Sequence, residues 1–201
     1  ILLPLAIFVI PTLAASWLTM MGIASLSKGP SDSTIWMAAR DDNIELLKTK
    51  IDEAGINLDA GDPVSQLPPL NWAALNGSLE AAEVLLDAGA SVDVRSGDQT
   101  TPLGHSAFMG RVEVTQLLLD RGADPNTINF HNSTPLGNTQ VEMGITEWVV
   151  GHLELKMDRE ELKAGREKVA AMLKERGGKL RRELTGDDRP GGEPGSITEA
   201  Y

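Results

Sequence analysis

TPLGHSAFMGRVEVTQLLLDRGADPN, residues Thr101 to Asn126, decides the fold. Its Thr-Pro-Leu opening returns as Pro69-Leu70 and as Thr134-Pro135-Leu136, so Pro69, Pro102 and Pro135 fall at a constant interval of 33 residues. A fixed period of that size marks a tandem array of small units. Within the unit, Thr101 offers an N-cap oxygen, and Pro102 takes the first helical position, where a missing N–H costs nothing. Gly110 interrupts after Ala107. Val112, Val114, Leu117, Leu118 and Leu119 then trace the apolar stripe of a second helix, and Gly122 permits a left-handed C-cap. The unit reads helix, turn, helix, loop. The pairs Gly77/Gly89, Gly110/Gly122 and Gly165/Gly177 are each 12 apart, which predicts one length for the second helix in three copies.

Copy by copy these residues resemble the ankyrin repeat, with its Thr-Pro-Leu, small-residue pair, Gly, Val/Leu-rich helix and Gly-Ala-Asp. The resemblance runs from about Ser33 to Gly178. It is most specific in Pro68 to Asp93 and Thr101 to Asn126, which close on Gly89-Ala90-Ser91-Val92-Asp93 and Gly122-Ala123-Asp124-Pro125-Asn126. In the first copy Ala38-Ala39-Arg40 and Asn43-Ile44-Glu45 fit, but Asp42 stands where Gly is expected and one residue is inserted before Gly55. In the fourth the expected Gly arrives 22 residues late, as Gly165, so an insertion is expected at about 145–164, between or onto the helices. The family's motif His is replaced by Trp36, Asn71, Gly104 and Gly137.

The resemblance implies an all-α solenoid of about four repeats, residues 33–179, that binds protein. The position before the small-residue pair faces the concave side in this family, and here it holds Met37, Trp72, His105 and Asn138, with Leu75 and Phe108 beside it. Exposed along one groove, Trp72 and Phe108 would anchor a protein partner. The alternative is that Trp72 tucks against the next repeat.

The 201 residues hold one domain of ordinary size plus extras. A net charge of −11 and a pI near 4.7 argue against nucleic acid as a partner, because phosphate binding needs clustered Lys and Arg. The absence of cysteine removes disulfides, thiolate metal sites and a cysteine nucleophile. Ile1 in place of Met is what a processed or truncated chain would show.

Ile1 to Leu26 carries no charge. As a helix rising about 1.5 Å per residue it would reach roughly 39 Å, more than a hydrocarbon core of about 30 Å, so a single N-terminal transmembrane helix is expected at 1–26. A signal peptide is the competing reading, with a shorter apolar core that would be cleaved. Lys28 marks the interface, and 27–32 reads as a linker. Pro11 would kink such a helix, and Ala15, Thr19 and Gly22 share one face that lets another helix approach closely. The helix is either this packing element or an inert anchor.

The run Ile1-Leu2-Leu3-Pro4-Leu5, Val9-Ile10-Pro11-Thr12 and Ala14 resembles the transmembrane helix of photosystem I reaction-centre subunit VIII, which has two prolines seven residues apart. That resemblance implies an accessory subunit of the thylakoid membrane, packed beside subunit L, with chlorophyll and carotenoid nearby. No His in the stretch would supply a chlorophyll ligand. Lys28, Arg40, Lys48 and Lys50 put the repeats on the stromal or cytoplasmic side.

Asp62 to Pro69 reads as an excursion rich in breakers, Asp158-Arg159-Glu160-Glu161 as a helix start, and 180–201 as a flexible tail. Lys174, Arg176, Lys179, Arg181 and Arg182 form a basic cluster that either complements a helix dipole or meets an anionic partner. His105, His131 and His152 lack metal-ligand spacing and read as surface residues, with His131 at an exposed loop tip. No catalytic constellation, cofactor site or metal site is expected. Two functions are: a structural subunit of an intramembrane complex, or a membrane-tethered adaptor for a soluble protein.

Overall fold

In the computed structural model, residues 34–152 and 158–185 are described, and they form ten α-helices with no strand among them. Helices α1 (Ile35–Arg40) and α2 (Ile44–Ile51) make the first pair, α3 (Pro69–Asn76) and α4 (Leu79–Asp87) the second, α5 (Pro102–Phe108) and α6 (Val112–Asp120) the third. The fourth unit is α7 (Pro135–Asn138), α8 (Met143–His152) and α9 (Arg159–Glu175), and α10 (Arg181–Thr185) follows. Helices α1, α3, α5 and α7 stack as an inner layer, while α2, α4, α6 and α9 stack as an outer one.

The local chemistry is what the repeat requires. Thr101 Oγ1 accepts the Gly104 N–H at 3.3 Å and Thr134 Oγ1 that of Gly137 at 3.2 Å, each with Pro at the first helical position. Gly110 (φ 62°) and Gly122 (φ 87°) take the left-handed turns. In the first copy Asp42 adopts the same conformation without being Gly (φ 53°), and its carboxylate accepts the Ala81 N–H at 2.9 Å. The layers close over Leu47, Leu70, Leu85, Leu103, Leu118, Val169 and Leu173, all fully buried. Burying each such side chain contributes about 1.5–3 kcal/mol.

A second set of bonds stitches the loops together. Asp59 Oδ1 accepts the Ser91 N–H at 2.9 Å, the Asp93 carboxylate accepts that of Asp124 at 3.2 Å, and Asn126 Oδ1 accepts that of Lys179 at 2.9 Å. The partners are 32, 31 and then 53 residues apart, so the register survives the insertion.

Two expectations need correction. Gly165 is not a turn residue: it lies inside α9, a helix of 17 residues against 9 in α4 and α6, so the second helices do not share one length. The insertion is spent partly on α8 and partly on lengthening α9, which starts at the Asp158 cap as expected; Asp158 Oδ1 accepts from Glu160 N and Glu161 N. The expected tail at 180–201 begins with α10, where Glu183 Oε2 accepts the Leu180 N–H at 2.6 Å.

The span expected at Ile1 to Leu26, with Pro11, Ala15, Thr19 and Gly22, lies outside the described residues, as do the 27–32 linker and 186–201. Among the described residues no helix is long and apolar enough to cross a membrane.

Candidate protein-interaction surface

The face of the inner layer turned away from the outer helices is the candidate binding groove, and most of it is covered. Trp72, Leu75, His105, Phe108 and Asn138 are buried and Met37 is half-buried, so the expected exposed row is corrected. Two segments of the chain itself fill the groove.

The first is the loop 62–67. Asp62 Oδ1 accepts the Val64 and Ser65 N–H groups at 2.9 and 2.8 Å, and its Oδ2 accepts the Leu67 N–H at 3.1 Å and the Ser65 hydroxyl. The loop closes on that carboxylate and is pinned to the inner layer by Trp72, whose Nε1–H donates to Asp62 Oδ2 at 3.1 Å. Leu67 packs beside Trp72 in the same cluster. With 2% of its surface exposed, Trp72 is a core residue of this cover and not an exposed anchor.

The second is the insertion. Phe108 and Met109 pack with Val141 and with Val150 of α8. Arg166, buried on α9, holds the assembly: its Nε donates to the Phe108 carbonyl at 2.8 Å, Nη1 to the Val141 carbonyl at 2.7 Å, and Nη2 to Thr146 Oγ1 at 2.8 Å. The guanidinium also sits 5.1 Å over the Phe108 ring. Burial pushes its pKa down to about 10, so it stays a cation whose neighbours are carbonyl oxygens and a π face. α9 can approach this closely because Gly165 lies against the Gly110 carbonyl, where a Cβ would collide with backbone.

Beside the first cover, where the Gln66 carbonyl accepts the Gly97 N–H at 3.2 Å, lies a polar cluster. Asp98 accepts from Ser96 Oγ at 2.6 Å, from Thr100 N at 3.1 Å and from Thr100 Oγ1 at 2.7 Å, and His131 Nε2 stands 3.3 Å from its Oδ2. The His131 side chain is 7% exposed, which corrects the loop-tip reading; Phe130 beside it, 68% exposed, occupies that tip. Burial would raise the Asp98 carboxyl, but the hydrogen bonds from His131, Ser96 and Thr100 and the field of His105 hold it well below the usual range. His105 is pushed below the ordinary histidine value by burial, against the pull of Asp98, and its Nδ1 stands 3.1 Å from Asn71 Nδ2. Asn71 Nδ2 also donates to the Thr100 carbonyl at 3.0 Å, and Trp36 Nε1 to that of Ala60 at 2.8 Å. These two side chains supply inter-repeat bonds at positions where the family has His.

Ser106 Oγ is buried and hydrogen-bonded to Thr115 Oγ1 at 2.9 Å, unlike an exposed nucleophile, and the described residues contain no group of three His, Asp or Glu able to hold a metal ion. Sequence reading missed Asp62, Asp98 and Arg166. For Asp98 a signal existed: His131 follows it by the repeat interval of 33, which sets the two in adjacent loops.

Stacked helix pairs joined by side-chain-stitched loops define a repeat scaffold of the protein-binding class. Residues 35–129 match the ankyrin repeat family in three copies. No curated protein matches the chain.

Proposed function

We propose that this chain is a non-catalytic, membrane-tethered accessory subunit whose ankyrin repeats hold a protein partner. The repeats carry the binding half of the reading. The observation that carries the tether is the run of 26 uncharged residues, Ile1 to Leu26, joined to the repeats by only a short linker.

A finer form of the proposal places the chain in a photosystem I complex beside subunit L, with chlorophyll and carotenoid around the helix and the repeats on the stromal side. Its support is the pairing of Pro4 with Pro11 in an apolar stretch and the small-residue face of Ala15, Thr19 and Gly22. Affinity purification of the full chain from membranes in mild detergent tests both levels. Stoichiometric recovery with a pigmented complex, weakened in Gly22→Leu, is the expected result. Recovery with a soluble partner only would favour the adaptor reading, and a chain found in the soluble fraction would end the tether.

A further inference from the structure

The groove that an ankyrin stack ordinarily leaves open is filled here by the 62–67 loop and by α8. Among the described residues, an open groove lies on the outer layer. A groove of about 460 Å³ runs across α4, α6 and α9, floored by Leu79, Val112, Leu117 and Met172 and rimmed by Glu83 and Glu113. The four floor residues pack on the core yet remain partly exposed.

The α4 and α6 walls are acidic, while α9 also brings Lys168 and Lys174. Helices α4 and α6 contain Glu80, Glu83, Asp87, Glu113 and Asp120 and not one Lys or Arg. Asp87 and Asp120 are neutralised by Arg121 at 2.8 Å and Arg176 at 2.5 Å, towards the C-terminal ends of the helices. Arg111 is turned away, donating from Nε to the Leu75 carbonyl at 3.3 Å. Glu83 and Glu113 are left exposed beside the apolar floor. Glu80 and Glu113 lie in first turns, where they complement the helix dipole, but Glu83 lies beyond the first turn and has no such role.

We propose that this groove docks one basic amphipathic α-helix of a partner protein, an inference that rests on the interaction-module reading. Its apolar residues, spaced i, i+3 or i+4, i+7, would lie on Leu79, Val112, Leu117 and Met172, with Lys or Arg on either flank facing Glu83 and Glu113. A helix is the fitting occupant because the groove walls are helices whose backbone groups are already paired, so side chains alone must make the contacts. An extended strand would find no edge to pair with. The acidic rim selects against nucleic acid, anionic lipid and this chain's own 186–201 segment, which carries Asp187, Asp188, Glu193 and Glu199 against a single Arg189.

The test uses the full chain in mild detergent and three labelled synthetic peptides, read by fluorescence anisotropy. The first is a Leu/Lys helix with one apolar face, the second the same composition scrambled, and the third has Ser in place of Leu. Only the first should bind, with affinity falling as salt is raised and by about tenfold in the surface variant Glu83→Lys/Glu113→Lys. Equal binding of the scrambled peptide, or no loss in the double variant, would overturn the proposal. Leu117→Gln supplies a second arm: with the helical circular dichroism retained, it should weaken the first peptide, and unchanged affinity counts against the groove. Should the peptide pattern hold while the native chain is recovered from membranes without any partner, the accessory-subunit reading fails and the groove stands.

Discussion

The third and fourth repeats are built on one plan and differ in how the outer helix meets the inner one. In the third, Gly110 turns the chain at φ 62° and α6 starts two residues later. In the fourth, α7 has only four residues, α8 intervenes, and α9 begins six residues before the glycine that aligns with Gly110. That glycine serves closeness instead of turning, since Gly165 lets α9 lie on the Gly110 carbonyl. Arg166, one residue on, reaches the C-terminal end of α5. A repeat stack can therefore absorb an insertion if the added residues extend the outer helix by whole turns and a buried side chain restores the bonds the lost turn would have made.

This contrast can be broken at Arg166. Arg166→Met keeps the bulk but strands the Phe108 and Val141 carbonyls, leaving the Thr146 hydroxyl only its bond to the Glu142 carbonyl, which should cost about 3 kcal/mol in urea unfolding. It should also raise amide exchange in Met143–His152 above that in α5. Gly165→Ala comes next. A methyl forced against the Gly110 backbone should cost about 1–3 kcal/mol, whereas the same change at a helix position open to solvent would stabilise.

The third prediction concerns pH. Burial holds His105 below its ordinary value, so the unfolded chain binds that proton first and stability falls as pH drops through about 6.5. Asp98 is depressed too and adds a further loss below about pH 4. His105→Gln should flatten the melting temperature between pH 7 and 5 and leave the acid limb in place. The smallest contrast is between caps: Thr101→Ala should cost about 1 kcal/mol, and Thr134→Ala more, because the second partner of Thr134 Oγ1 is the Lys179 carbonyl at 2.7 Å, whereas that of Thr101 Oγ1 is the Thr127 hydroxyl at 3.2 Å.

The repeat plan was legible because it is written locally. Thr-Pro-Leu, the turn glycines and the Asp158 cap act over a few residues, so their spacing carries the structure. Gly165 misled because one letter serves two purposes, a left-handed turn and a close approach, and only the neighbouring backbone separates them. The buried state of Trp72 and Phe108 was not legible because it depends on where the 62–67 loop and α8 fold back, which no periodicity records. The polar contacts follow a rule at another scale: Asn71 with His105, Asn138 with Gly104 and Arg121 with Asp87 each join residues 34 apart, one repeat and one residue on. His131 and Asp98 follow the plain repeat interval of 33, so reading the chain in columns of one repeat would have placed them side by side.

The loop stitches give the stack a mechanical polarity. One side-chain bond, Asp59 to Ser91, joins the first loop to the second beside the Gly97 N–H to Gln66 carbonyl contact, while at the last junction the Asn126 side chain makes two, accepting from Lys179 N and donating to the Gly177 carbonyl at 3.2 Å. Helix α2 adds only Leu47 as a fully buried side chain, against five buried residues on α9. Under tension between its two ends the chain should therefore peel from the first repeat, and the segment paid out first would be the one adjoining Ile1 to Leu26. A load applied at that end would open the first repeat before it disturbed the α4–α6 face.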